Sequence, residues 1–214
     1  MKVIVVANVD QREEIISKNT NPLADLVFLK SFSDHREIHE NYDALFVLSG
    51  DIDFSDRKLH NGKPVFINSV IETLEQKKAP LNVSRINGWP GFLKRQTWEV
   101  ASHHKIIAGK IFEAMDWAAV FVKDEPGMIA ARVISMIINE AFFALEEGVS
   151  TIEEIDLAMK LGTNYPYGPF EWQQKIGLQN IYRLLQNLSV KDKRYLIAPL
   201  LEKKYFELTS SQIN

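Results

Sequence analysis

The chain has 214 residues, 46% of them apolar and 25% charged, with a net charge of −3. This is globular composition and excludes a disordered, collagen-like or coiled-coil chain. The slightly acidic balance offers no basic field to nucleic acid. Cysteine is absent, which removes disulfides, a thiolate nucleophile, zinc–thiolate sites and iron–sulfur ligation. Glycine is scarce: ten residues, none before Gly50, where typical usage is ~7%. No stretch reaches the ~20 apolar residues of a membrane span. The short apolar run at the amino terminus lacks a signal-peptide cleavage pattern, so a soluble, cytoplasmic protein is expected.

Taken in order, the first 124 residues alternate between strand and helix signals. Val3 to Ala7 is a continuous β-branched run, as in a buried parallel strand. Asp10 to Lys18 has helical spacing. Leu26–Leu29, Ala44–Leu48, Val65–Ile67, Val83–Ile86 and Ala118–Val122 read as further strands, with helices over Val70–Gln76 and Lys105–Met115. This repetition predicts a parallel sheet of five or six strands with helices on its faces.

Lys123-Asp124-Glu125-Pro126-Gly127 is the punctuation between the halves. Beyond it, Met128 to Glu147 predicts a long helix, apolar almost all round, with Gly148 as its cap. Ser150 to Glu154 offers a capping box for a helix that Gly162 ends. Asp156 stands four before Lys160, so it pairs with it or caps locally. Asn164 to Pro169 is a turn-rich loop. Phe170–Lys175, Leu178–Asn187 and Lys191–Phe206 read as helices, the last interrupted at Pro199.

Several segments in the second half carry a family resemblance. They are Val120 to Ile129, Arg132, Asn139-Glu140-Ala141, Glu147-Gly148, the unbroken run Ile155 to Glu171, and Ile176-Gly177-Leu178. From Trp117 to about Leu185 the chain resembles the C-terminal domain of the 3-hydroxyacyl-CoA dehydrogenase family. A looser similarity runs through Arg85 to Phe92 and Trp98-Glu99-Val100, the family's active-site strand and loop. The resemblance implies a shortened, diverged Rossmann-like α/β domain over residues 1–124 and an all-α domain over 125–214. It also implies hydride transfer between the 3-hydroxyl carbon of an acyl-CoA and NAD. In that chemistry a histidine acts as general base, a glutamate orients it, and Ser and Asn side chains contact the reacting oxygen. The helical domain would form a homodimer and help close the acyl-CoA site.

Three positions depart from this pattern. The first βα turn, Ala7 to Glu14, contains no glycine and carries Asp10, Glu13 and Glu14 at the helix start. There they satisfy the helix dipole and repel a pyrophosphate. Either NAD binds in an unusual way or the domain has lost its cofactor, and no cofactor is the expectation. Aligned on Glu99, the family's histidine falls at Asn87, or with a gap at Pro90, and neither takes a proton near neutral pH. Glu99 remains as the catalytic candidate without its partner. The substrate-facing asparagine is replaced by Ala131, before Arg132, which forms no side-chain hydrogen bond.

Asn87, Trp89, Phe92, Trp98, His103 and Ala131 are the candidate pocket residues. The three aromatics either fill the space of a former substrate or shape a remaining pocket. His103 or His104 could supply a substitute base, and His35, His39 and His60 read as surface residues. No metal site is expected. The sequence thus predicts a 3-hydroxyacyl-CoA dehydrogenase-like protein of fatty acid metabolism with weak or no dehydrogenase activity. It would bind acyl-CoA or a related small molecule and form a homodimer, without nucleic-acid or membrane partners. Two alternatives stand beside that: an active NAD-dependent dehydrogenase with a rebuilt site, and a non-catalytic dimerisation or partner subunit.

Overall fold

A computed structural model describes residues 1–18, 20–32, 41–50, 52–55, 59 and 62–211. The chain forms two compact units, residues 1–128 and 129–214. In the first, β1 (Lys2–Val6), α1 (Val9–Ile16), β2 (Asp25–Leu29), β3 (Ala44–Val47), β4 (Val65–Asn68) and β5 (Val83–Ile86) are followed by β6 (Thr97–Ser102), α2 (Lys105–Ala114) and β7 (Ala118–Phe121). The sheet order is β2-β1-β3-β4-β5-β6-β7. β2 through β5 are mutually parallel, β6 runs antiparallel to β5, and β7 is parallel to β6.

Among the described residues the sheet has seven strands, against the five or six expected. The addition is β6, where Trp98 and Val100 are buried in alternation with Thr97 and Glu99. Its signal is a period of two with polar residues between, not a continuous apolar run. Conversely, Val70–Gln76 is no helix but a series of turns. Asp124 takes the Leu74 N–H at 2.9 Å, and Thr73 and Gln76 close on each other through their side chains. Tertiary bonds override a weak local propensity there.

Both faces of the sheet are covered, as the β-branched runs require. On one face Val3, Val5, Phe46, Phe66 and Val100 join Ile15 of α1 and Phe112 of α2. Phe46 and Phe66 stack at 4.5 Å, and Trp98 and Trp117 meet at 4.9 Å. On the other face Ile4, Val6, Leu45, Val47, Val65 and Val83 pack with Tyr42 and Leu74. Each fully buried side chain of this size contributes roughly 1.5–3 kcal/mol.

The second unit holds α3 (Ala130–Glu146), α4 (Ile152–Thr163), α5 (Pro169–Ile176), α6 (Leu178–Ser189), a 3₁₀ turn (Lys193–Tyr195) and α7 (Pro199–Ser210). α3 packs against α5, α6 and α7. It starts two residues later than expected because Gly127 (φ 76°) and Met128 (φ 48°) are left-handed and do not open a right-handed helix. Asn139, buried in α3, accepts the Ala198 N–H at 2.9 Å and donates to the Leu196 carbonyl at 2.8 Å, anchoring the start of α7. α4 runs through Gly162 and stops at Asn164, whose φ of 53° is left-handed.

Asp156 does not pair with Lys160. Its carboxylate accepts the N–H groups of Phe170 (2.8 Å) and Glu171 (3.2 Å) at the start of α5, while Lys160 pairs with Glu171. A Cβ on Gly168 would lie 2.4 Å from Asp156 atoms, so this approach of loop to helix requires glycine. The Lys160 hydrogen bond, then the Gly168 N–H, hold the Glu171 carboxyl below its usual range. Among the described residues no helix is long and apolar enough to cross a membrane.

Candidate functional site

In an open α/β sheet, ligands bind outside the carboxyl ends of the strands where the order reverses, here between β1 and β3. Asn8 caps α1 at this point. Its Oδ1 accepts the Gln11 N–H at 2.9 Å, and Gln11 Oε1 accepts the Asn8 N–H at 3.1 Å. This reciprocal box occupies two amides at the place where a pyrophosphate would sit. Gln11 is buried, and its Nε2 donates to the Leu48 carbonyl at 2.9 Å.

The closure continues along the edge. Leu48 O also accepts Asn68 Nδ2 at 3.2 Å, and Asn68 Oδ1 accepts the Gly88 N–H at 3.0 Å. A Cβ on Gly88 would meet Asn68 Cγ at 2.8 Å. Polar groups at the ends of β1, β3, β4 and β5 thus satisfy one another. Glu14 does not place its charge on the helix start, as the sequence suggested. Its carboxylate accepts the N–H groups of Gly91 (2.5 Å), Leu93 (3.0 Å) and Lys94 (3.2 Å), tying the β5–β6 loop to α1. The residues present therefore do not fit a dinucleotide in the ordinary way: the first βα turn lacks glycine, and the Asn8 and Gln11 N–H groups are taken by side chains.

Asn87 and Glu99 come together. The register pairs Arg85 with Ala101 and Ile86 with Val100, and one further step sets Asn87 opposite Glu99. Alternation places both on the face away from Ile86 and Val100. Asn87 is buried; its Oδ1 accepts the Trp89 N–H at 3.3 Å, and its Nδ2 has no partner. An amide in this position donates and accepts but exchanges no proton near neutral pH.

The other candidates scatter. Trp89, Phe92 and Trp98 are all buried. Trp98 belongs to the core of the opposite sheet face and donates from Nε1 to the Leu93 carbonyl at 3.0 Å. For Trp98 packing is the outcome, not a pocket wall. His103 and His104 are exposed beyond the end of β6. The antiparallel strand carries His103 ~13 Å along from Glu99, to the edge where β5 begins, so neither histidine lies beside Asn87. Ala131 is fully buried in α3 of the second unit. His35, His39 and His60 lie outside the described residues. Among the described residues no three His, Asp or Glu side chains cluster as metal ligands.

Two charged residues that the sequence reading passed over organise the first unit. Arg85 is fully buried, ion-paired through Nε to Asp124, and donates to the carbonyls of Ser69 (3.0 Å) and Glu125. With Gly127 N–H on Val70 O at 2.8 Å, this holds residues 124–127 within the first unit. The one signal in the sequence is an arginine inside the short strand Val83-Ser84-Arg85-Ile86. Lys18 is buried, with Nζ 5.4 and 5.6 Å from the Trp98 and Trp117 rings, and donates to the Arg95 carbonyl. Burial lowers its pKa from 10.5 to about 8.

A largely parallel α/β unit followed by a helical unit, with its polar edge at the strand order's reversal, defines the class of two-unit Rossmann-like proteins. The family model "3-hydroxyacyl-CoA dehydrogenase, C-terminal domain" matches residues 127–210. An Escherichia coli K12 3-hydroxyadipyl-CoA dehydrogenase is 47% identical over 85 residues, 39% of this chain and 18% of the relative. A probable 3-hydroxybutyryl-CoA dehydrogenase of Bacillus subtilis is 41% identical over 93 residues, 42% of this chain and 32% of the relative. The match thus spans a third or less of these curated relatives. The crystal structure of (S)-3-hydroxybutyryl-CoA dehydrogenase from Ralstonia eutropha shares the fold, with a TM-score of 0.67 and 18% identity over 94% of this chain and 92% of that one. Residues 127–210 are thus similar to the C-terminal domain of 3-hydroxyacyl-CoA dehydrogenases.

Proposed function

We propose that this is a 3-hydroxyacyl-CoA dehydrogenase-like protein of acyl-CoA metabolism that binds an acyl-CoA-type ligand with weak or no NAD-dependent turnover. It works in the cytoplasm as a homodimer formed through the helical unit. The observation that carries the reading is the filled strand edge: Asn8, Gln11, Leu48, Asn68 and Gly88 bond to one another where a dinucleotide needs open backbone. Asn87 opposite Glu99 supports it, because an amide, which exchanges no proton with an alcohol, stands beside the carboxylate where the resemblance implies a histidine base. The similarity of residues 127–210 to the C-terminal domain of 3-hydroxyacyl-CoA dehydrogenases favours an acyl-CoA-type ligand over a purely structural dimerisation module.

The test is a paired titration on one sample. Acetoacetyl-CoA is expected to raise the melting temperature saturably, whereas NADH fluorescence stays unenhanced. Saturable NADH binding would overturn the cofactor-free reading. No response to either compound would leave the dimerisation module in its place.

A further inference from the structure

The edge of the sheet remote from Asn87 holds a cavity of about 390 Å³, within the ~300–1,000 Å³ of small-molecule sites. It lies where β4 and β5 begin and β6 ends, under the first turn of α2. Pro64, Leu81 and Ile107 are among its apolar walls. Its polar floor is Ser84 and Ser102, register partners on β5 and β6. Ser84 Oγ donates to Ser102 Oγ at 2.8 Å, and the His104 backbone N–H donates to the same oxygen at 3.0 Å. With both lone pairs of Ser102 engaged, its own proton is left to donate.

The remainder of this sheet face is filled by Phe66, Ile86, Trp98, Val100 and Phe112. Interiors pack to crystal density, so two serines facing Ala108 create a void that apolar residues would have closed. Among the described lining residues none is acidic, and the first turn of α2 carries no acidic side chain. His104 also borders the space.

We propose that this cavity binds a short aliphatic carboxylate. The chain lies against Pro64, Leu81 and Ile107, and the carboxylate accepts the Ser102 hydroxyl proton and faces His104. The site is separate from the Asn87–Glu99 pair and does not depend on the acyl-CoA reading.

Amide NMR titration with hexanoate tests the proposal, with hexylamine as the charge-reversed control. Hexanoate is expected to shift the Ser84, Ser102 and Ile107 amides saturably in the millimolar range, and hexylamine is not. Ser102→Ala should weaken hexanoate about tenfold, the worth of one charge-assisted hydrogen bond. Ile107→Trp, on the half-exposed wall, should block binding while the rest of the spectrum stays native, which covers the case of a misfolded serine variant. The proposal is overturned by absence of saturable shifts, by equal binding of hexylamine, or by undiminished binding to a folded Ser102→Ala or Ile107→Trp protein.

Discussion

Lys18 is a cation enclosed by two indole rings, and its charged form is disfavoured by burial. The unfolded chain holds this proton up to the ordinary value of 10.5, whereas the folded chain releases it near 8. Between those values the unfolded state binds more protons, so stability rises with pH. Below about pH 8 the full desolvation cost is present. Lys18→Met keeps the stem against Trp98 and Trp117 and removes the titration. Urea melts of both proteins are expected to converge or cross in the variant's disfavour as pH rises from 8 to 10.5; a constant difference in midpoint would contradict this. Nothing near position 18 announces the site, because its partners arrive from positions 95, 98 and 117. Asn87, by contrast, is a candidate from the sequence alone, because the segment around it, Arg85 to Phe92, resembles a known motif without any tertiary information.

At the scale of elements, the buried guanidinium of Arg85 joins β5 to the turns after β4 and to residues 124–125. Asp124→Ala leaves that charge fully enclosed without its counter-ion. The expected loss is about 3 kcal/mol, measurable as a lower urea midpoint with an unchanged slope. A midpoint within error of wild type would mean that the carbonyls alone satisfy Arg85. Strands of continuous apolar residues were legible because their pattern is local and both faces are buried. β6 was not, since Glu99 and Thr97 interrupt it and its pairing partner Ser84–Ile86 sits across a loop. The turns at Val70–Gln76 were misread for the converse reason: their hydrogen bonds reach Asp124, fifty positions away.

For the whole molecule, the helical unit could be identified from an unbroken motif, whereas the state of the strand edge required coordinates. The absence of glycines from the first βα turn is visible in the sequence; it does not say which side chains take the amide donors there. The helical unit also exposes apolar residues, among them Ile129 (53%) and Val133 (49%) at the start of α3. Surface of this kind suits a symmetric interface. Sedimentation at micromolar concentration should give a dimer, and Val133→Asp should shift it toward monomer. A wild-type monomer would remove that expectation.

The interlocked edge has a consequence for how the chain tolerates substitution. Each of Asn8, Gln11, Asn68 and Gly88 is satisfied by another member of the set. A glycine placed at position 8 alone strips the cap from α1 and strands the buried Gln11. Each single change in the set is therefore uphill. The arrangement behaves as a ratchet: it resists substitutions made one at a time and yields only to several made together.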